Sequence, residues 1–179
     1  MTLEKQDAEL FYELWFPLLD FVNQKYRVCP GTGTIDRSRG VDAADAKKIA
    51  DYLWSHTQVL QEYIAYAKLP EEQAQMAGWA QCKPGKYIME RHLKKGTVFI
   101  SEDDQTVYMV EGLFSTWEEM MGKGPVLLDA VLIPFKDMII SDGLVRAYPF
   151  HFGRGYSEAF KDIYRKAKED NTIRFSLSG

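Results

Sequence analysis

The chain has 179 residues, of which 46% are hydrophobic and 27% charged, with a net charge of -4. That composition excludes a disordered, collagen-like or disulfide-built chain and leaves no electrostatic footprint for duplex nucleic acid or an anionic membrane. Twenty-four aromatic residues (10 Phe, 10 Tyr, 4 Trp) are enough to fill one core without metal or disulfide support. The only cysteines, Cys29 and Cys82, lack the paired short spacing of zinc sites. A reducing, cytoplasmic setting is therefore expected, with one disulfide left open. The acidic start MTLEKQDAEL is no signal peptide, and the apolar run 126–135 is too short to span a bilayer.

From Glu4 to Arg27, apolar residues at three- and four-residue steps predict an amphipathic helix. Pro17 predicts a kink or break near Phe16. The Gly- and Pro-rich stretch 29–40 reads as a loop. Asp42 caps a second helix whose face runs from Ala46 through Trp54 and Leu60 to Ala67, and Pro70 opens a third that reaches about Ala80.

Lys83-Pro84-Gly85-Lys86 fits a type II turn, after which the period changes to two. Tyr87, Met89, Arg91 and Leu93 should share one face of a strand, with Ile88, Glu90 and His92 on the other. Residues 97–101 and 106–111 form a hairpin around the polar tip 102–105, and Ser115 to Glu118 has the spacing of a capping box for a short helix. Strands follow at 126–135, 138–141 and 144–150, then a helix capped by Ser157, an Asn171 stop and an edge strand at 172–177.

Helices first and strands afterwards predict an α+β fold: an N-terminal helical segment over 1–82, then an antiparallel meander over 83–179 with a C-terminal helix. The two segments are read as one compact unit joined by aromatic residues. The meander could curl into a small SH3-like barrel.

The segments 85–100, 108–112 and LLDAVLIPFKDMIISDGLV (127–145) resemble a group of uncharacterised bacterial proteins, a domain of unknown function with a PFKxxIIxDGL-type motif. Here that motif is Pro134, Phe135, Ile139, Ile140, Asp142, Gly143 and Leu144. The resemblance implies no activity. Some members of the group carry a cysteine-rich zinc tail, whereas this sequence ends 175-FSLSG-179, so no metal site is carried over. Turn formers and core-facing apolar residues are what a meander requires in any case.

Several constellations bear on chemistry. Gly31-Thr32-Gly33-Thr34 has glycines of a phosphate loop but no preceding strand. Gly153, Arg154 and Gly155 at a helix start form a better anion site, against the plainer reading of a flexible connection. His92, His151 and Asp142 are the candidate catalytic set, with Arg91, Asp129, Gly153, Arg154 and Gly155 as candidate ligand-binding residues. Asp129 interrupts an apolar strand and calls for a partner among Arg91, Arg146 and Arg154. Neither cysteine has a base beside it, and no metal site or cofactor is read from the chain.

Lys83, Lys86, Arg91, Lys94 and Lys95 against Glu90 make a local surplus of positive charge in an acidic chain. With Tyr87 beside it, this stretch could grip single-stranded nucleic acid, or it is a solvated strand and turn. No catalytic signature stands above its structural explanation. The reading is therefore a non-catalytic module that binds a protein or peptide or associates with itself, with no membrane partner. The alternatives are a small hydrolase-type enzyme built from His92, His151, Asp142 and Arg154, and nucleic-acid binding through 83–95.

Overall fold

The computed structural model describes residues 1–177; Ser178 and Gly179, the end of the cysteine-free tail, lie outside the described residues. The fold is α+β and divides into two compact units, one of Glu4–Gln81, the other of Met1–Leu3 and the chain from Cys82 onward.

In the helical unit, α1 (Lys5–Tyr26) buries the stripe Ala8, Phe11, Leu14, Trp15, Leu18, Leu19 and Val22. The break expected near Phe16 does not occur. Pro17 lies on the exposed face, so the carbonyl of exposed Glu13 that loses its partner can bond water. Arg27 ends the helix in the left-handed region (φ 49°), and the buried Asn23 amide brackets Cys29, accepting from its N–H at 2.8 Å and donating to its carbonyl at 3.1 Å.

The single second helix predicted from the apolar face is two helices, α2 (Ala43–Ser55) and α3 (Gln58–Ala67). Ser55 Oγ donates to the Asp51 carbonyl at 2.8 Å, and His56 Nδ1 lies 2.9 Å from the Tyr52 carbonyl. These local bonds offer the backbone an alternative to the helical ladder at that joint. Asp42 caps α2 as expected, accepting from Ala44 N–H at 2.9 Å. The third helix is only α4 (Glu71–Ala74), followed by a 3-10 segment, Gln75–Gln81. Phe11, Trp54 and Trp79 meet in this unit's core, with ring centroids 5.2 Å apart for Phe11–Trp79 and 6.3 Å for Trp54–Trp79.

The other unit is a curled antiparallel sheet, half a barrel. Its strands are β1 (Lys83–Leu93), β2 (Gly96–Ser101), β3 (Val107–Val110), β4 (Val126–Phe135), β5 (Met138–Ile140) and β6 (Arg146–Ala147). The order is β3-β2-β1-β4-β5, with β6 on β4, and a bond from Glu111 N–H to the Ile139 carbonyl ties the end of β3 toward β5. α5 (Trp117–Met121) lies between β3 and β4, and α6 (Arg154–Glu169) ends the fold.

Five expectations shift here. Lys83–Lys86 is strand rather than turn; this part of β1 pairs only with β4, where a proline without an N–H is tolerated. The capping box sits one residue later, between Thr116 and Glu119. Only Arg146–Ala147 of 144–150 is strand, and 172–177 makes a single bridge, Arg174 to Tyr108. α6 is capped by Gly153 and begins at Arg154, so Ser157 lies inside the helix and not at its cap.

The sheet is apolar on both faces. Tyr87, Met89, Phe99, Tyr108, Val110, Leu128 and Leu132 gather around Trp117 on one face; Ile88, Val98, Ile100, Val107, Met109 and Leu127 meet Phe160 and Ala167 of α6 on the other. At Glu90 the register slips by one: Met89 pairs with Phe99, but Arg91 pairs with Val98 and His92 with Thr97. A bulge of one residue exchanges the faces of everything after it. Arg91 therefore joins the α6 face and His92 the Trp117 face, the reverse of the alternation read from the sequence.

Candidate functional site

The α6 face of the sheet does not close completely against the helix. A cleft of about 430 Å³ remains, floored by Ile88, Ile100 and Leu127 and walled by Tyr156, Phe160 and Ile163 of α6 and by Phe150, His151, Phe152 and Gly153 of the segment before it. Ser101, Glu102 and Gln105 of the β2–β3 hairpin complete the lining. Such a volume, mostly apolar with a few polar groups, lies within the range of ligand and side-chain pockets.

The aromatic wall is a ladder that local sequence dictates. Phe150 and Phe152 alternate along an extended segment, and Tyr156 and Phe160 are one turn apart on α6. Ring centroids run 5.2 Å from Phe150 to Phe152 and 4.8 Å from Phe152 to Phe160, both edge-on. Phe160 is buried at 9% exposure, while Phe150 at 48% and Tyr156 at 67% present large apolar surface to water.

The candidate catalytic set is not assembled. His151 lines this cleft and is exposed. His92 is on the opposite face, with Nε2 2.8 Å from the Gly122 carbonyl and Nδ1 2.9 Å from Thr97 Oγ1. A carbonyl can only accept, so Nε2 carries a proton and Nδ1 is occupied by the hydroxyl. Both nitrogens of His92 are thus committed to holding the turn after α5 against β1. Asp142 is buried at 4% exposure, and its Oδ1 accepts from Leu144 N–H at 3.0 Å, turning the chain after β5.

The candidate ligand-binding residues are also occupied. Arg91 forms a two-bond ion pair with the buried Glu90 carboxylate, Nη2 donating to Oε1 at 2.9 Å, and its guanidinium lies 4.3 Å from the Tyr164 ring centroid. The bulge places these two consecutive side chains on one side and makes the pair possible. Asp129 is held by Tyr148, whose hydroxyl donates to Oδ2 at 2.9 Å, and not by an arginine. Arg146 faces Asp129 across the strands, but its guanidinium lies over the Tyr148 ring, 5.4 Å from the centroid. Arg154 pairs with Glu158 at 3.1 Å on the surface of α6. Gly153 is the helix cap and touches the cleft; Gly155 lies in the first turn.

The remaining signals resolve into structure. Thr32 of the Gly-Thr-Gly-Thr loop donates to Asp45 Oδ2 at 2.7 Å, which puts a carboxylate where a phosphate would sit. Tyr87 is buried, its hydroxyl donating to the Lys83 carbonyl at 2.6 Å, so its ring offers no stacking face beside the basic stretch. Lys83 opens β1 and Lys94 lies in the turn just after its end, up to about 35 Å away at strand rise. Cys29 and Cys82 are not joined in a disulfide, and burial raises both thiols above the ordinary value, Cys82 to about 11 with the Asp142 carboxylate adding to the effect. A thiol so placed is a poor nucleophile. Among the described residues no three of His, Cys, Asp and Glu could hold a metal ion, and no helix is long and apolar enough to cross a membrane.

The sequence reading named His151 and Gly153 but missed the rest of the cleft. The signal was present: Tyr148, Phe150, Phe152, Tyr156 and Phe160 are too many large rings for one short helix and its approach. Comparisons with protein-family models, curated proteins and solved structures find no match for this chain.

Proposed function

We propose that this chain is a non-catalytic binding module, and that the aromatic cleft between the sheet and α6 receives an apolar side chain of a protein or peptide partner. The observation that carries this is the exposure of Phe150 and Tyr156 at a cleft lined mostly by apolar residues. Aromatic residues left in water at a pocket mouth are the usual anchors of interfaces. Every polar group put forward for chemistry except His151 already has a structural partner, and His151 has neither a second histidine nor a carboxylate beside it in the cleft other than Glu102. That arrangement favours binding over hydrolysis. The separation of the lysines along β1 and the burial of Tyr87 weigh in the same way against nucleic acid. The resemblance to uncharacterised bacterial proteins adds an expected relationship and no activity.

Selection of a random-peptide library against the whole chain tests the proposal. Enriched peptides should share a large apolar residue and should bind the Tyr156→Ser variant at least tenfold more weakly, since truncating a hot-spot anchor at an interface costs about 2 kcal/mol or more. Tyr156 is exposed, so the variant keeps its fold. No enrichment, or enriched peptides indifferent to Tyr156→Ser, would overturn it.

A further inference from the structure

The cleft has an electrical side as well as an apolar one. Its lining contains one charged side chain, Glu102, at the start of the hairpin tip Glu102-Asp103-Asp104. All three acids are exposed. Asp104 is spent locally, accepting from Thr106 N–H at 2.9 Å. Among the described residues Glu102 and Asp103 make no ion pair. Lys86 is joined to Glu102 through a backbone bond of 3.0 Å, yet its ammonium lies over the Tyr148 ring, 5.4 Å from the centroid. Arg154, at the other wall, is taken by Glu158. The mouth therefore presents apolar rings on the α6 side and the Glu102 carboxylate, without an ion-pair partner among the described residues, on the hairpin side.

We infer that the cleft selects a peptide segment in which a large apolar side chain is flanked by lysine or arginine. The apolar group enters between the sheet and α6, and the cation meets Glu102 at the rim. This rests on the reading of the cleft as a peptide site and adds the charge of the partner. Rim charges of this kind set which partner is accepted more than how tightly the anchor holds.

The test uses two labelled synthetic peptides with the same aromatic anchor, one flanked by lysines and one by glutamates, titrated by fluorescence anisotropy against the whole chain. At low salt the lysine peptide should bind about fivefold tighter, as expected when exposed charge pairs change from repulsion to attraction. In about 1 M salt, where the screening length falls to about 3 Å, the difference should close. Glu102→Lys, a surface substitution, should reverse the order of the two peptides, and Tyr156→Ser should weaken both. Equal binding of the two peptides, or an order that Glu102→Lys leaves unchanged, overturns the charge selection while the peptide site stands. Binding of neither peptide, or binding indifferent to Tyr156→Ser, overturns the site itself. Self-association in sedimentation that Tyr156→Ser abolishes would assign the cleft to a second copy of the chain and overturn the inference.

Discussion

Phe160→Ala examines how α6 is held to the sheet, and with it the wall of the cleft. α6 has a strongly polar outer surface and buries only Phe160 and Ala167 fully, with Ile163 and Tyr164 partly covered. A 16-residue helix of that composition is marginal alone and depends on its packed face. Phe160 meets Phe152 edge-on at 4.8 Å and lies against the Ile88, Ile100 and Leu127 face. Truncating a buried Phe to Ala costs about 3–5 kcal/mol. The lower end applies here, because Phe152 and Tyr156 border open space and can relax into the gap. A local loss of about 3 kcal/mol raises the detached population of α6 roughly a hundredfold. Amide hydrogen exchange should therefore speed up by that factor across 157–169, while the β1–β2 ladder, whose other face packs on Trp117, changes far less. If α6 and the ladder accelerate equally, the helix is not a separately held element; if α6 amides are unmoved, Phe160 is not its anchor.

Two ionisable groups give further tests. Burial holds the Cys82 thiol at about 11 against an ordinary 9.0, so its thiolate fraction at pH 8 falls about a hundredfold. Iodoacetamide labelling followed by mass spectrometry should show Cys82 slow at pH 8 and rising steeply toward pH 11; half-maximal labelling near pH 8.5 would refute that burial. Glu111 has a buried, unpartnered Oε2, and burial raises its carboxyl, with the chain's amino terminus opposing. A raised carboxyl favours the protonated form in the fold, so its contribution is present below about 4.5 and is lost as pH rises through the folded value. Glu111→Gln should thus stabilise the chain at neutral pH by about 0.5–1 kcal/mol in urea unfolding, an advantage that disappears below pH 4.5. An advantage that persists at pH 4 would show that the gain is not electrostatic.

Period and turn chemistry made most elements legible. The β2–β3 hairpin, the β4–β5 pair with its Lys136-Asp137 connection, and the Asp42 cap all follow from local signals that nothing overrides. The misreadings share a cause, since each turned on a competing interaction outside the period. The helix expected to run from 43 to 67 has an unbroken apolar face, and side-chain bonds from Ser55 and His56 part it. Lys83-Pro84-Gly85-Lys86 has turn residues, yet cross-strand pairing with β4 extends it. Gly112 went unremarked because its requirement is tertiary: a Cβ there would lie 2.1 Å from the Ser115 carbonyl oxygen.

The candidate site was less legible, and the bulge at Glu90 explains much of the difference. Strict alternation sends Arg91 to the Trp117 face and His92 to the α6 face, where His92 would join His151 and suggest chemistry. One inserted residue reverses this. Arg91 moves to the helix side, where the consecutive Glu90 carboxylate neutralises it and Tyr164 covers it; His92 moves away to bond Thr97 and Gly122. A bulge leaves no unambiguous mark in a single sequence, since Met89-Glu90-Arg91 alternates as well as any strand. Its physical effect is to bring Arg91 onto the α6 face already paired with Glu90 and to take the second histidine off it, so that the cleft there is lined by aromatic rings and the Glu102 carboxylate. On the proposed reading, that combination would hold a partner's apolar side chain beside its positive charge.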